Sequence, residues 1–186
     1  MLTESNRLTH LVQQVIELSR LQGDESVESP NPISIDHVIA LAIDTSAIDA
    51  NAKSIQVIPE VETGLAVLGS DEQVTAAVAN LVANAVTYSE PGSKVLVRAR
   101  AVDGYVEISV VDQGIGIPSD EIDRIFERFY RVDPARHRST GGTGLGLSIV
   151  KHVAATHGGE VRVWSVEGQG STFTLTLPRG EQEARV

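Results

Sequence analysis

Two glycine-dense segments about thirty residues apart constrain this chain of 186 residues more than any other feature. The first is Asp112-Gln113-Gly114-Ile115-Gly116. The second is Gly142-Thr143-Gly144-Leu145-Gly146-Leu147, and upstream of both stands Asn80-Leu81-Val82-Ala83-Asn84-Ala85. Together they describe a nucleotide site of neither common kind. A phosphate loop of the form G-x4-G-K-[ST] needs a lysine that is missing beside Gly146. The dinucleotide fingerprint needs G-x-G-x-x-G, where this chain has G-x-G-x-G.

Composition narrows the remaining choices. The length allows one domain of ordinary size with an appendage. No stretch of eighteen apolar residues occurs and the first residues are polar, so neither a membrane span nor a secretory signal is expected. Cysteine is absent, which excludes disulfides and is compatible with a cytoplasmic location. A net charge of −10 argues against nucleic acid as the main partner. It does not exclude ATP, because the positive charge is unevenly spread. Arg124, Arg128, Arg131, Arg136 and Arg138 crowd the stretch between the two glycine segments. Singly they read as solvated loop residues; as a cluster they point to phosphate contact by at least one of them.

Along the chain, residues 1–22 read as an amphipathic helix. Leu8, Leu11, Val15 and Leu18 form its stripe, which Val12 and Ile16 widen. Such a helix would be roughly 33 Å long and suits a bundle with partner helices. Residues 23–32 read as a polar, proline-containing linker, 33–178 as the main domain, and 179–186 as a frayed polar tail. Within the domain a helix is expected over 36–52 with Asp36 as its N-cap, a strand pair over 55–59 and 65–68, and a helix over 71–88. Two strands over 95–102 and 106–111 join through Asp103-Gly104, a strong hairpin signal. A helix opened by Gly144 runs to His157, and a second hairpin covers 161–177. This order predicts an α/β two-layer sandwich, a mixed sheet with helices on one face.

The chemistry follows from residue types. Asp112 closes an apolar strand, where its carboxylate can accept a hydrogen bond from an exocyclic amine. Adenine offers that donor at N6 and guanine offers an acceptor at O6, so a buried Asp112 would select ATP; the competing reading is a turn aspartate capping backbone groups. Gly114 and Gly116 make room for a ring against the backbone, and Gly142, Gly144 and Gly146 do so for phosphates. The helix after Gly144 adds free N–H groups and a dipole that attract anions. Asn80 and Asn84 are four apart and share a helix face with Tyr88. An amide oxygen is a hard donor that Mg²⁺ accepts alongside water and phosphate. Residues 117–143 lack a regular pattern and contain Phe126, Phe129 and Tyr130, which fit anchors of a lid.

In this order and spacing the segments resemble the catalytic ATP-binding domain of sensor histidine kinases, the Bergerat fold. Asn80 to Tyr88 resembles the N box, Asp112 to Gly116 the first glycine box, Phe126-Glu127-Arg128-Phe129-Tyr130-Arg131 the F box, and Gly142 to Leu147 the second glycine box. Gly168-Gln169-Gly170-Ser171-Thr172-Phe173 fits the family's closing motif. The resemblance covers about residues 34–178, and the wording is most similar to actinobacterial phosphate-responsive kinases. Residues 4–21 are similar to the second helix of the family's dimerisation and phosphoacceptor hairpin.

The resemblance implies ATP and Mg²⁺ as ligands, with the metal on Asn84 and Asn80 near the triphosphate. It places Asp112 on adenine N6, Tyr88 beside the adenine and Arg131 on the phosphates. Ile117, Phe126, Gly142, Thr143 and Leu145 join the site through the lid and second glycine box. The lid, 117–143, would cover the nucleotide and dock on a phosphoacceptor bundle. Implied partners are that bundle, homodimeric when complete, and a response regulator; a membrane is met only through an upstream segment. Two departures stand out. Thr87 takes the place of a common basic residue. No histidine has the H-E-x-x-[TN]-P context of a phosphoacceptor: His10 is followed by Leu-Val-Gln, His137 falls in the lid, and His152 and His157 follow the second glycine box. The chain thus reads as an ATP-handling fragment without its own acceptor. Alternatives are an ATPase or serine kinase of related fold, or a degenerate nucleotide-binding scaffold.

Overall fold

The structure, a computed structural model, describes residues 31–132 and 143–180. Strand β1 (Asn31–Ser34) leads into helix α1 (Ile35–Ala52). Strands β2 (Gln56–Val61) and β3 (Ala66–Gly69) precede helix α2 (Asp71–Tyr88). The hairpin β4 (Lys94–Val102) and β5 (Tyr105–Val111) is followed by turns, then by helix α3 (Gly146–Thr156) and the hairpin β6 (Glu160–Val166) and β7 (Gly170–Pro178).

Five strands form one mixed sheet in the order β2-β4-β5-β7-β6. Only β2 runs parallel to its neighbour, and it lies at the edge, where the missing N–H of Pro59 falls on the open side and costs no ladder bond. The alternation expected of a half-covered sheet is clean. Val95, Val97, Ala99, Val106, Ile108, Val110, Phe173, Leu175 and Leu177 point into the core, while Arg98 and Arg100 lie on the other face. Asp103 and Gly104 both take positive φ between the paired residues Val102 and Tyr105, the two-residue turn that Asp-Gly predicts.

The helices cover the inner face as one layer, so the α/β two-layer sandwich is as expected. Helix α2 spans the predicted 71–88 and buries Val74, Ala77, Val78, Leu81, Val82, Ala85 and Val86. That stripe leaves Asn80, Asn84 and Tyr88 along one half-exposed edge. Ser70 caps the helix by accepting the Gln73 N–H at 3.4 Å.

Several boundaries and pairings differ from expectation. Helix α1 starts one residue early with Ser34 in the cap position, so Asp36 lies in the first turn, where a carboxylate still favours the dipole. The expected strand pair does not exist. Strand β2 joins the main sheet, and β3 pairs antiparallel with β1 in a separate two-stranded ribbon. Asn31 and Pro32, read as linker, belong to β1. Arg179 and Gly180, read as tail, are held: Arg179 bridges to Val67, and the Gly180 N–H donates to the Ala66 carbonyl at 2.8 Å. Helix α3 begins at Gly146 with Leu145 in the cap position, and Gly144 precedes it with φ of 74°. The bundle helix over 1–22, residues 23–30 of the linker, the rest of the tail and Gly142 lie outside the described residues.

Candidate functional site

Asp112 leaves the end of β5 buried, yet it is held almost entirely by backbone. Its N–H donates to the Ser171 carbonyl at 2.9 Å, extending the β5–β7 ladder by one step. Its Oδ1 accepts the Gly114 N–H at 2.8 Å and the Ser171 N–H at 3.2 Å. Both contacts fall on one oxygen, so Oδ2 remains for a ligand's donor. Burial pushes the carboxyl above its ordinary range, and the two N–H groups oppose that shift. The turn-capping reading therefore applies to Oδ1, while Oδ2 makes no hydrogen bond among the described residues.

The glycines around Asp112 are dictated by the protein's own backbone. The segment after Asp112 runs along the β6–β7 turn, where the Gly168 N–H donates to the Ile115 carbonyl at 2.7 Å and the Ile117 N–H to Ser165 Oγ at 2.8 Å. A Cβ on Gly116 would stand 2.1 Å from the Val166 carbonyl oxygen, and one on Gly114 would stand 2.3 Å from that of Tyr88. Gly170 faces the loop from the other side. Its φ is 106°, and a Cβ there would stand 2.1 Å from the Asp112 carbonyl oxygen. No larger residue fits between these two strands of backbone, which explains the closing motif in physical terms.

The asparagine face meets the second glycine box. Asn80 Nδ2 donates to the Ala76 carbonyl at 2.9 Å, which leaves Oδ1 turned towards the start of α3. A Cβ on Gly146 would stand 2.7 Å from that oxygen. Leu145, fully buried, roots this corner in the core, and the Leu145 N–H donates to Thr143 Oγ1 at 3.3 Å. Asn84 is half-buried one turn further along α2, and its amide makes no hydrogen bond among the described residues. The Tyr88 carbonyl accepts the Ile115 N–H at 3.4 Å, and Ser89 bridges to Gly114. The N box is thereby stitched to the first glycine box.

Sequence reasoning missed the residue that fixes the end of α2. The last turn of this helix carries no basic side chain. Instead Lys53, at the end of α1, donates from Nζ to the carbonyls of Val86 at 2.9 Å, Thr87 at 2.5 Å and Ser89 at 3.4 Å. A cation at a helix C-terminus satisfies orphan carbonyls and opposes the dipole. The missing basic residue in the last turn was a usable hint; the identity of the donor, more than thirty positions away, was not.

The described part of the expected lid, 117–132, consists of turns, such as Glu121 N–H to Pro118 and Glu127 N–H to Arg124. Phe126 packs against the core beside buried Ile125. Phe129 is 64% exposed with φ of 64°, and its N–H donates to the Gly144 carbonyl at 2.8 Å, which ties the F box to the second glycine box. The Tyr130 hydroxyl bonds to Glu121, and the Arg124 guanidinium lies 4.1 Å from the Tyr130 ring centre. Arg131 is half-buried next to this cluster.

These features converge on one rim: the ends of β5 and α2, the start of α3 and the β6–β7 turn. Among the described residues no group of three or more histidine, cysteine or acidic side chains gathers to hold a metal. A Mg²⁺ ion here would suit the open Asn84 amide, with phosphates and water completing its shell.

Comparison with known proteins agrees with this geometry. Residues 69–181 match the family described as histidine kinase-, DNA gyrase B- and HSP90-like ATPases. The sensor-like histidine kinase SenX3 of Mycolicibacterium smegmatis is 47% identical over 178 residues, covering 96% of this chain and 46% of that protein. The chain thus spans about half the length of that relative. Among solved structures, the mycobacterial sensor histidine kinase MprB matches with a TM-score of 0.71 and 33% identity, over 82% of this chain and 99% of that one. Full-length ShkA in complex with AMPPNP matches with a TM-score of 0.81 and 32% identity, over 98% of this chain and 38% of that one. With the N box, the first glycine box, the F box and residues 143–147 of the second glycine box on one rim, the chain belongs to the histidine kinase-, DNA gyrase B- and HSP90-like ATPase family, as the ATP-binding catalytic domain of a sensor histidine kinase.

Proposed function

We propose that this domain positions Mg-ATP so that its γ-phosphoryl passes to a histidine outside the chain, for relay to a response-regulator aspartate. The observation that carries the proposal is the division of labour at Asp112. Oδ1 is committed to the protein, and Oδ2 is left as an acceptor for the N6 amine of adenine. Around it, Tyr88 flanks the base, Asn80 and Arg131 serve the triphosphate, and Asn84 offers its oxygen to Mg²⁺. Gly142, Thr143, Gly144, Leu145 and Gly146 bring the α3 N-terminus to the phosphates. Bound Mg²⁺ would neutralise charge on the phosphates; everything else is positioning, which suits phosphoryl transfer.

One feature disfavours the ATPase alternative. The related ATPases carry a glutamate base where Asn80 stands, and an amide cannot take a proton from water. The acceptor bundle, its dimerisation, a cytosolic position below a membrane anchor and a phosphate stimulus all belong to the larger protein that this reading implies.

The test supplies a homologous phosphoacceptor dimer to the purified chain with labelled ATP. Acid-labile label should appear on the added dimer, and label on this chain's own histidines would overturn the reading. Asn84→Ala should weaken Mg-ATP binding about tenfold while leaving metal-free binding unchanged, the worth of one charge-assisted contact. An unaltered Mg²⁺ titration would remove Asn84 as ligand.

A further inference from the structure

Ser165 is the polar residue on the inward side of β6, where Val161 and Val163 are its apolar companions. A hydroxyl in such a place is costly unless its bonds are made. Here all three are made. Ser165 Oγ accepts the Ile117 N–H at 2.8 Å and donates to the Gly170 carbonyl at 3.0 Å. Ser171 Oγ lies 3.0 Å away on the facing strand. Because Ser165 has one proton and spends it on Gly170, Ser171 must be the donor in the serine pair. One donor and two acceptor sites are thus filled, which fixes the rotamer.

The three bonds reach both ends of the segment from Asp112 to Ile117. At its far end, Ile117 is held directly. At its near end, Ser171 is held, and Ser171 in turn grips Asp112 through its own N–H and carbonyl. Gly170, whose carbonyl takes the Ser165 proton, is the residue packed on the Asp112 backbone. A single hydroxyl on an edge strand therefore sets the path of the loop that carries the adenine-reading carboxylate. It does so through Ile117, Gly170 and Ser171, without touching the Asp112 side chain.

We propose that Ser165 is a positioning residue for nucleotide selection: it fixes the direction of Asp112 Oδ2 and the starting point of the 117–132 segment together. This rests on the adenine role of Asp112. Ser165→Ala strands the Ile117 N–H and the Ser171 hydroxyl, and lets the loop relax.

A double-mutant cycle in ATP affinity tests it. Ser165→Ala should weaken ATP binding about tenfold, the worth of a few buried hydrogen bonds. It should also narrow the preference for ATP over GTP. In an Asp112→Asn background the same change should cost less than about twofold, since coupled neighbours are not additive. Ser165→Thr, which keeps the hydroxyl, should restore both affinity and preference. Thermal melts of each variant show that it is folded; should Ser165→Ala not fold, Ser165→Cys enters the cycle in its place. Equal losses in both backgrounds, or wild-type preference in Ser165→Ala, would overturn the proposal while leaving Asp112 in its role. Wild-type ATP affinity in Asp112→Asn alone would instead remove the adenine reading, and the Ser165 proposal with it.

Discussion

The two halves of the nucleotide rim are built on opposite plans. On the Asp112 side, where the proposed function puts adenine, Asp112, Gly114, Ile117, Ser165, Gly170 and Ser171 are bound to one another by backbone ladders and a closed hydroxyl network. The side-chain oxygens of Ser165 and Asp112 Oδ1 are taken up by protein donors and acceptors, and Asp112 Oδ2 is not. On the asparagine side, where the proposed function puts the phosphates, the Asn84 amide has no hydrogen bond among the described residues and Asn80 keeps its oxygen towards Gly146. Its frame is the exposed edge of α2, the start of α3 and a run of turns. The first plan suits discrimination, because a saturated frame cannot adapt to a base with the wrong donor pattern. The second suits a charged ligand that brings its own metal and water.

Substitution at Gly170 should break the contrast most forcefully. Gly170→Ala forces a Cβ into the Asp112 carbonyl at a φ that L-residues rarely adopt, and should cost about 3 kcal/mol of stability together with ATP binding. Gly168→Ala is the control. It shares a positive φ of 78° but nothing lies within 4 Å of its Cβ, so a loss of about 1 kcal/mol with unchanged affinity is expected. Chemical denaturation and calorimetric titration read both, and equal effects at the two sites would refute the close-packed adenine frame.

A smaller effect is expected at Lys53, which anchors the shared end of α2. Lys53→Met leaves the carbonyls of Val86, Thr87 and Ser89 to water and should cost about 2 kcal/mol. Lys53→Arg should recover part of it. A melting curve unmoved by Lys53→Met would show that the helix end is held by Gly114 and Ile115 alone.

The smallest effect concerns pH. His157 accepts the Ser70 N–H through Nε2 at 3.2 Å, and its Nδ1 lies 2.9 Å from the Val153 carbonyl, so the ring is neutral with its proton on Nδ1. Burial lowers its pKa below the unfolded value, against the opposing effect of the Val153 bond. The unfolded chain therefore binds the extra proton first. His157's contribution is fully present above about pH 6.5 and is lost as pH falls from there towards the lowered folded value. Thermal melts should show a modest loss between about pH 7 and pH 5 that His157→Gln diminishes. An identical slope in the variant would assign the acid sensitivity elsewhere.

The contrast also explains what the sequence could reveal. Local signals were legible: the stripe of α2 from Val74 to Ala85, the Asp103-Gly104 turn and the apolar patterning of β4 and β5. The boxes were legible because asparagine, aspartate and glycine are costly within apolar elements unless something uses them. What stayed hidden depends on distant partners. Strand β1 has four residues, one of them proline, and pairs with β3 across the whole of α1. Lys53, Ser165 and His157 look ordinary locally, and each finds its partner only after the chain has folded. The glycines were read as space for a ligand; Gly116, Gly146 and Gly170 make room for the protein's own backbone and side chains as well.

The most direct test of this account is calorimetric titration of the chain and of Asp112→Asn with Mg-ATP and Mg-GTP. The wild-type chain should bind ATP and reject GTP, and Asp112→Asn should lose about 10- to 100-fold in ATP affinity without loss of fold. Equal affinity of the wild-type chain for both nucleotides, or undiminished ATP binding by the variant, would contradict the claim that Asp112 Oδ2 reads adenine.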